Sequence, residues 1–326
     1  TVDFEKYGIP SMAMSDGPHG LRRQAGAGDH LGLNASLPAT CFPTAATIAN
    51  SWDEKLGEEI GTALAEEAVT MDVNVILGPG LNIKRSPLCG RNFEYFSEDP
   101  YHAGKMAAAY VKGIQSKGIS ACPKHFAANS QELRRMASDS VVDERTFREI
   151  YTTGFEIAVK EGKSKSIMSS YNEVNGVYAN ENRHMLQEIL VDEWGFDGIV
   201  LSDCGAIADF YRDYGHKTHP DAESASAAAV LSGTDLECGS SYEALVEAVK
   251  QGKIDEKAVD VAVKRLLTAR FALGEMDEPE KVSWTGIPFS VVASAGHDSL
   301  ALDMARKSMT LLMNKDNTLP LKRGGL

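Results

Sequence analysis

Short apolar runs alternate with helical repeats along this chain, and this alternation limits the possible folds more than any other feature. The runs with the length of β-strands span 11–16, 73–77, 118–122, 166–171, 198–203 and 234–238. Stripes of apolar residues at helical spacing cover 56–71, 147–158 and 258–273. Strands that alternate with helices predict a parallel sheet wrapped by helices. At 326 residues, the chain favours an α/β fold of the (β/α)8 TIM-barrel type, regular or irregular, over an open sheet.

Two helix starts and the lack of a phosphate loop refine this prediction. Asp53 lies among the acids of one first turn, and Asp99 precedes Pro100 as a cap before a first-turn proline. Neither GxGxxG nor GxxxxGK[ST] occurs at a strand-to-helix turn. This argues against an open sheet that binds dinucleotides or nucleotide phosphates.

The charge balance limits the partners. The chain carries 33 Lys and Arg against 46 Asp and Glu, a net charge of -13. Polyanions are repelled on average by such a surface, so we expect no nucleic acid and no anionic membrane as partners. No apolar run approaches the roughly 18 residues that cross a bilayer.

The cysteines and the first residue bear on the compartment. Cys41, Cys89, Cys122, Cys204 and Cys238 lie far apart, and no CxxC pair occurs. An odd number without a framework predicts free thiols in a reducing compartment, which favours the cytoplasm. The chain begins with Thr rather than Met and shows no signal peptide, so we expect a truncated start.

Polar side chains follow most of the predicted strands, where a barrel builds its active site. These candidates are Asp16, Arg91 in the loop 90–95, Lys124, His125, Tyr171 and Asp203. Apolar strands that all end in hydrogen-bonding groups predict a ligand rich in hydroxyls. No HxxxH, HExxH or CxxC motif occurs, so we expect no metal and no cofactor.

Each candidate also has a structural alternative. Asp16 precedes Gly17-Pro18 and is typical of a turn. Asp203 suits a helix cap, and Arg91 with Glu94 suits a structural ion pair. Lys124 after a strand also fits a Schiff-base lysine, since barrels host that chemistry. From residue types alone these alternatives stay open.

Four motifs in a fixed order narrow the choice. They are SDGPHGLR at 15–22, GRNFEYFSEDP at 90–100, KHF at 124–126 and SDCGA at 202–206. Together they resemble the barrel domain of glycoside hydrolase family 3, and within it the β-glucosidases. The resemblance runs from Ile9 to Pro320, and the long second motif is highly specific.

The resemblance implies a retaining exo-acting β-glycosidase, most simply a β-glucosidase that releases terminal β-D-glucose from β-glucosides or short gluco-oligosaccharides. Retaining enzymes use two carboxyl groups about 5 to 5.5 Å apart, one as nucleophile and one as acid/base. Asp203 is the implied nucleophile that forms the covalent glycosyl-enzyme. The implied sugar-binding residues are Asp16, Arg91, Lys124, His125 and Arg135, with Met168 and Tyr171 on the same wall. A homo-oligomer stays open.

One departure from the family pattern bears on specificity. Many family β-glucosidases carry Trp directly after the nucleophile, whereas this chain has Cys204. The same SDC form occurs in β-xylosidases and mixed enzymes, although these tend to carry Glu where this chain has Asp16. We therefore expect a β-glucosidase, with a β-xylosidase or a dual enzyme as the alternative.

A second departure concerns the acid/base. In two-domain family members it is a glutamate on a following α/β-sandwich domain, and 305–314 resembles the segment that enters that domain. We expect a catalytic barrel over 1–300 and a linker with the start of a missing α/β domain over 301–326. Within this last segment, 309–314 followed by 317–321 predicts a new strand and turn that leave the barrel. Glu237 is a weak candidate substitute. The other alternative is a non-catalytic sugar-binding barrel when the chain is isolated.

Single-domain family members offer a further comparison. These β-N-acetylglucosaminidases carry a KHFPGHG-like run with a catalytic loop histidine. Here the run is KHFAANSQ at 124–131, which lacks both the glycines and that histidine. This alternative is disfavoured.

Overall fold

The computed structural model describes residues 3–26 and 34–324. Its strands are β1 (Met14–Ser15), β2 (Val75–Ile76), β3 (Ser120–Ala121), β4 (Lys124–Phe126), β5 (Asp139–Ser140), β6 (Ser166–Ser169), β7 (Glu173–Val174), β8 (Val177–Tyr178) and β9 (Ile199–Ser202). Each of the first five predicted runs contains or leads into one of these strands. The sixth run contributes Leu236, which forms a single parallel bridge with Leu201.

Parallel pairing dominates the sheets. β1, β2 and β3 form one parallel sheet, and β4, β6 and β9 form a second. A parallel bridge joins Lys124, in β4 of the second sheet, to Gly80, in the segment that follows β2 of the first sheet. The small third sheet pairs β5 with β7 in parallel and β7 with β8 antiparallel. The predicted α/β alternation is confirmed, but the described strands do not form a closed eight-stranded ring.

Helices cover the three stripes that the sequence pattern predicts, and others lie between them. The α-helices are α1 (Ala45–Asn50), α2 (Glu54–Thr70), α3 (Pro100–Gln115), α4 (Glu144–Thr146), α5 (Thr153–Lys160), α6 (Ala222–Ser232), α7 (Leu245–Lys250), α8 (Glu256–Ala272) and α9 (Ala295–Lys307). Phe147–Thr152 and His184–Glu193 are π-helical. Short 3-10 turns cover Glu5–Tyr7, Arg135–Ala137, Ala179–Glu181, Ala206–Phe210, Ser241–Ala244, Pro279–Lys281, Phe289–Val291 and Lys315–Asn317. None of the described helices is long and apolar enough to cross a bilayer.

Both predicted helix starts are present. The Asp53 side chain accepts the Leu56 N–H at 3.1 Å and begins α2. The Asp99 side chain accepts the N–H groups of Tyr101 and His102 at 2.8 and 3.0 Å, ahead of Pro100 in α3. Such caps satisfy N–H groups that a helix start leaves unpaired.

Glycine allows α2 and α3 to pack closely. A Cβ on Gly61 would lie 2.4 Å from the Tyr110 carbonyl oxygen, and one on Gly113 would lie 2.1 Å from that of Glu58. Larger residues at either position would push the two helices apart. These helices cover the outer face of the sheets and belong to the main apolar core.

The C-terminal segment differs from its prediction. α9 buries Met304 completely in the core. After it, the predicted strand over 309–314 is absent, and Leu311 and Leu312 are 66% and 91% exposed. A strand needs a hydrogen-bonding neighbour, and no described strand lies beside this segment.

A buried polar network holds α9 against α2. His297 Nδ1 lies 2.8 Å from Glu67 Oε1, and its Nε2 lies 3.3 Å from Glu66 Oε2. The Thr40 N–H donates to Glu67 Oε2 at 2.9 Å, and its hydroxyl donates to the other oxygen. Glu67 is therefore fully buried yet fully bonded, as buried polar groups need to be.

We predict that Glu67→Ala lowers the free energy of unfolding by about 2–4 kcal/mol, because it leaves buried donors on Thr40 and His297 without an acceptor. Urea unfolding measures the change. Glu59→Ala is the matched control, since Glu59 lies on the exposed side of α2 in a 3.9 Å surface pair with Lys55. An equal loss in both variants would contradict a role for the network.

Candidate active site

One cavity of about 430 Å³ opens at the carboxyl ends of the parallel strands. Its lining contains all eight predicted site residues: Asp16, Arg91, Lys124, His125, Arg135, Met168, Tyr171 and Asp203. Residues distant in sequence meet here because parallel strands bring their C-terminal ends to one edge. In β4 and β6, for example, Lys124 lies opposite Met168, and Met168 lies opposite Leu201 in β9.

Lys124 and Asp16 form an ion pair at one wall. Lys124 Nζ lies 2.6 Å from Asp16 Oδ1, and Arg22 lies 3.5 Å from the other oxygen. Burial raises the pKa of Asp16, but Lys124 and Arg22 outweigh this effect and lower it below the usual value. Burial lowers the pKa of Lys124, yet Asp16 and Glu94 leave it raised. The lysine is therefore charged, which disfavours the Schiff-base alternative.

Arg91 forms the ion pair with Glu94 that the sequence left open, and it also lines the cavity. Burial alone would lower the pKa of Arg91, but Glu94 is the strongest of several groups that leave it raised. Arg91 thus combines a structural ion pair with a position in the cavity wall.

Arg135 is held between an acid and an aromatic ring. Its Nη1 lies 2.9 Å from Glu132 Oε2, and its guanidinium carbon lies 4.5 Å from the centre of the Tyr171 ring. The Tyr171 hydroxyl donates to the Cys204 carbonyl at 2.6 Å. Tyr171 thereby links this cation to the segment that follows β9.

Asp203 is a buried carboxyl with one oxygen held and one without a hydrogen bond. Oδ1 accepts the Cys204 N–H at 2.8 Å, whereas the buried Oδ2 has no hydrogen-bond partner among the described residues. His125 Nε2 is 3.5 Å from Oδ2. Burial raises the pKa of Asp203, while Arg91 and Lys124 act against it. A poorly solvated oxygen in a field of cations suits a nucleophile.

His125 is neutral in this site. Burial lowers its pKa well below the usual value, and the charges of Arg91, Lys124 and Arg135 act in the same direction. A neutral imidazole has one donor and one acceptor nitrogen, so its tautomer determines what it offers to Asp203.

The structure corrects the prediction of free thiols for two cysteines. Cys204 and Cys238 form a disulfide, while Cys41, Cys89 and Cys122 are free. The parallel bridge between Leu201 and Leu236 brings the two chain segments together. Sequence spacing concealed the pair because 34 positions separate its members.

Several cavity residues were missed by the sequence analysis. Arg22 belongs to the first motif, and Phe93 belongs to the second, where its ring stacks on His19 at 5.3 Å. Glu132, which lies outside the cavity lining, precedes Arg135 by three residues and is recognisable only from their ion pair. Glu237 lies outside the cavity lining and accepts the Tyr242 N–H at 2.6 Å. In the part of the chain that the structure describes, no group of three or more His, Cys, Asp or Glu residues could hold a metal.

A match to a family model shows which protein family this chain belongs to. Residues 5–269 match the glycosyl hydrolase family 3 N-terminal domain. The chain belongs to this family. A thermostable β-glucosidase B from Acetivibrio thermocellus is 46% identical over 329 residues, which cover 100% of this chain and 40% of that protein. The chain thus spans about two fifths of that relative's length.

Other relatives carry different names. An exo-α-(1→6)-L-arabinopyranosidase from Bifidobacterium longum is 43% identical, with 98% of this chain and 40% of that protein covered. A xylan 1,4-β-xylosidase from Xylanibacter ruminicola is 43% identical over 75% of this chain and 29% of its own length. The solved structure of β-glucosidase 3B from Thermotoga neapolitana with α-D-glucose is 36% identical and matches 99% of this chain and 43% of its own, with a TM-score of 0.84.

A second buried carboxyl, Asp209, lies near Asp203. It is 2% exposed, and its Oδ2 has no hydrogen-bond partner among the described residues. Burial, with a contribution from Asp203, raises its pKa from 3.8 to about 7. The folded state therefore holds a proton that the unfolded state has released between these pH values. Folding stability from this group falls as pH rises from about 4 to 7.

We predict that Asp209→Asn stabilises the protein more at pH 8 than at pH 5, because the neutral amide removes the cost of ionising a buried carboxyl. The free energy of unfolding in urea at both pH values measures the effect. Asp213→Asn is the control, since the Asp213 side chain is 88% exposed. A gain that is equal at the two pH values would contradict the prediction.

Proposed function

We propose that this chain forms the sugar-binding and nucleophile-bearing part of a retaining exo-β-glycosidase, with β-glucosidase as the favoured activity. The observation that carries the proposal is the geometry of Asp203. Its free Oδ2 lies buried in a cavity that is also lined by Arg91, Lys124 and Arg135. Cationic and hydrogen-bonding side chains around a carboxylate suit a ligand rich in hydroxyls.

The proposed chemistry has two steps. Asp203 Oδ2 attacks the anomeric carbon, the bond to the leaving oxygen breaks, and an acid protonates that oxygen. Water then attacks the glycosyl-enzyme, gives up a proton to the same group as base, and releases the sugar with retained configuration. The Cys204 N–H holds Oδ1 throughout, so that Oδ2 stays aimed into the cavity.

We assign the sugar contacts from the family resemblance and the shape of the cavity. Asp16, fixed by Lys124, suits the O4 and O6 hydroxyls of a hexose. Arg91 suits the neighbouring equatorial hydroxyls, and Lys124 with His125 suits the O3 and O2 side. Met168 and Tyr171 complete the wall.

The acid/base is proposed to lie outside this chain. Glu94, which lines the cavity, and Glu132 are engaged by Arg91 and Arg135. We propose that a glutamate of a following α/β domain supplies the proton. In this division 1–300 form the catalytic unit and 301–326 the connection.

Two further assignments accompany the proposal. We propose that the two parallel sheets belong to one TIM-type barrel, because Met12, Val75, Cys122, Met168 and Leu201 share one inner apolar cluster. A cytoplasmic location stays a prediction and loses part of its basis, since the Cys204–Cys238 disulfide is typical of oxidising compartments.

We predict that Asp203→Gly lowers turnover of an aryl β-glucoside by at least about 1,000-fold in the full-length protein, because the nucleophile is lost. Added azide should restore product formation and yield the α-glycosyl azide, identified by NMR. Azide fills the space of the missing carboxylate and attacks the anomeric carbon once, so the configuration inverts.

Asp213→Gly is the matched control and should retain wild-type turnover, since Asp213 is exposed and outside the cavity. Near-normal turnover by Asp203→Gly would overturn the nucleophile assignment. Efficient hydrolysis of cellobiose by the 326-residue chain alone would overturn the proposed external acid. Glucose binding by the isolated chain, with negligible hydrolysis of natural disaccharides, would favour the sugar-binding alternative.

The second candidate activity is β-xylosidase, alone or together with β-glucosidase, and Cys204 in place of Trp favours it. We predict a higher kcat/KM for the aryl β-glucoside than for the β-xyloside, because Asp16 can accept the O6 hydroxyl. Asp16→Glu should lower the glucoside-to-xyloside ratio by roughly tenfold or more, since the longer side chain occupies the space for C6. Parallel assays with an aryl α-L-arabinopyranoside test the activity named for the Bifidobacterium longum relative. A ratio unchanged by Asp16→Glu would contradict this account.

A further inference from the structure

His125 is contacted at both ring nitrogens by buried groups. Its Nε2 lies 3.5 Å from Asp203 Oδ2, and its Nδ1 lies 3.4 Å from the Tyr95 hydroxyl. Tyr95 is completely buried and His125 is 1% exposed. The ring planes of Tyr95 and His125 are nearly perpendicular, at 82°, which leaves the hydroxyl at the edge of the imidazole.

The protonation states of Tyr95, His125 and Asp203 follow from their surroundings. Burial raises the pKa of Tyr95 well above its usual value, so its hydroxyl keeps its proton. His125 is neutral for the reasons given above. An ionised Asp203 only accepts hydrogen bonds. The neutral ring therefore has one N–H to place, either toward Asp203 or on the opposite side.

We propose that Tyr95 is a positioning residue: its hydroxyl donates to His125 Nδ1 and thereby holds the ring as the Nε2–H tautomer, which presents a donor to the free oxygen of Asp203. This inference rests on the proposed function, in which Asp203 is the nucleophile. It gives the Tyr of the GRNFEYF run a specific role. Tyr95 acts through His125 and does not touch the sugar.

The opposite tautomer has a competing acceptor. Asn82 Oδ1 lies 3.3 Å from His125 Nδ1 and accepts the His125 backbone N–H at 2.7 Å, and its second lone pair could accept from an Nδ1–H. However, an Nδ1–H ring would turn its Nε2 lone pair toward the ionised Asp203, so that two acceptors would face each other. The Tyr95 hydroxyl would then lose its acceptor on the ring. Both effects favour the Nε2–H form.

The role of Asn82 is therefore to fix the backbone of His125. Its amide nitrogen donates to the His125 carbonyl at 2.8 Å while its oxygen accepts the N–H. Asn82 fixes the position of the His125 ring, and Tyr95 determines which ring nitrogen carries the proton.

The test uses 15N NMR of the histidine rings together with the pH dependence of kcat/KM in the full-length protein. The wild type should show His125 with a protonated Nε2 and an unprotonated Nδ1. Tyr95→Phe, which removes only the hydroxyl, should shift the ring toward Nδ1–H. It should lower kcat/KM roughly tenfold, the factor that corresponds to one lost hydrogen bond of about 1.4 kcal/mol.

The same variant should move the acidic limb of the profile to higher pH, because Asp203 loses a donor that favours its charged form. Tyr110→Phe is the matched control. Tyr110 is also a buried tyrosine, packed edge-on against Phe96 and outside the cavity lining. Tyr110→Phe should leave the His125 signals and the pH profile unchanged. A purely structural effect of Tyr95→Phe would likewise leave both unchanged.

A wild-type spectrum with the proton on Nδ1 would overturn the proposal, and this measurement needs no variant to fold. An unchanged tautomer in folded Tyr95→Phe would also overturn it. The outcome is separable from the proposed function, because the ring signals are read without substrate. If azide rescue of Asp203→Gly fails while the Nε2–H tautomer is found, the nucleophile assignment fails and the tautomer assignment stands.

Discussion

The burial of the Asp203 carboxyl is the constraint on which the rest of the site depends. Taking an ionised carboxylate out of water costs several kcal/mol unless charges or donors replace the solvent. Arg91, Lys124 and Arg135 supply the charges, and the Cys204 N–H supplies a direct donor. The raised pKa of Asp203 shows that this compensation is incomplete, which leaves an oxygen with unused bonding capacity.

Each of the three cationic side chains near Asp203 forms an ion pair with a carboxylate. Lys124 pairs with Asp16, Arg91 with Glu94, and Arg135 with Glu132. The pairs hold three long side chains in place at the cavity, so less conformational entropy has to be lost when a ligand binds. Burial outweighs the three cations, so the pKa of Asp203 stays above its usual value.

The sequence predicted the parts of this site that reside in motifs and strand ends. Asp16, Lys124 and Asp203 follow or lie in short apolar runs, and the periodicity located these runs correctly. Features that depend on register were not predictable. The Glu132–Arg135 pair requires a loop conformation, and the strand expected over 309–314 lacks a neighbouring strand. The pairing of such short strands likewise depends on contacts between segments that are distant in sequence.

The disulfide also depends on how the strands pair, and it gives Cys204 a structural role beside the proposed nucleophile. Its N–H holds Asp203 Oδ1, its carbonyl accepts the Tyr171 hydroxyl, and its sulfur is bonded to Cys238. Closing a loop across 34 positions stabilises the fold by about 3–4 kcal/mol through loop entropy. A Trp at this position would offer a stacking surface instead. In this chain, a covalently fixed backbone sets the edge of the cavity beside the proposed nucleophile, so the residue type that opens the pocket also makes its wall rigid.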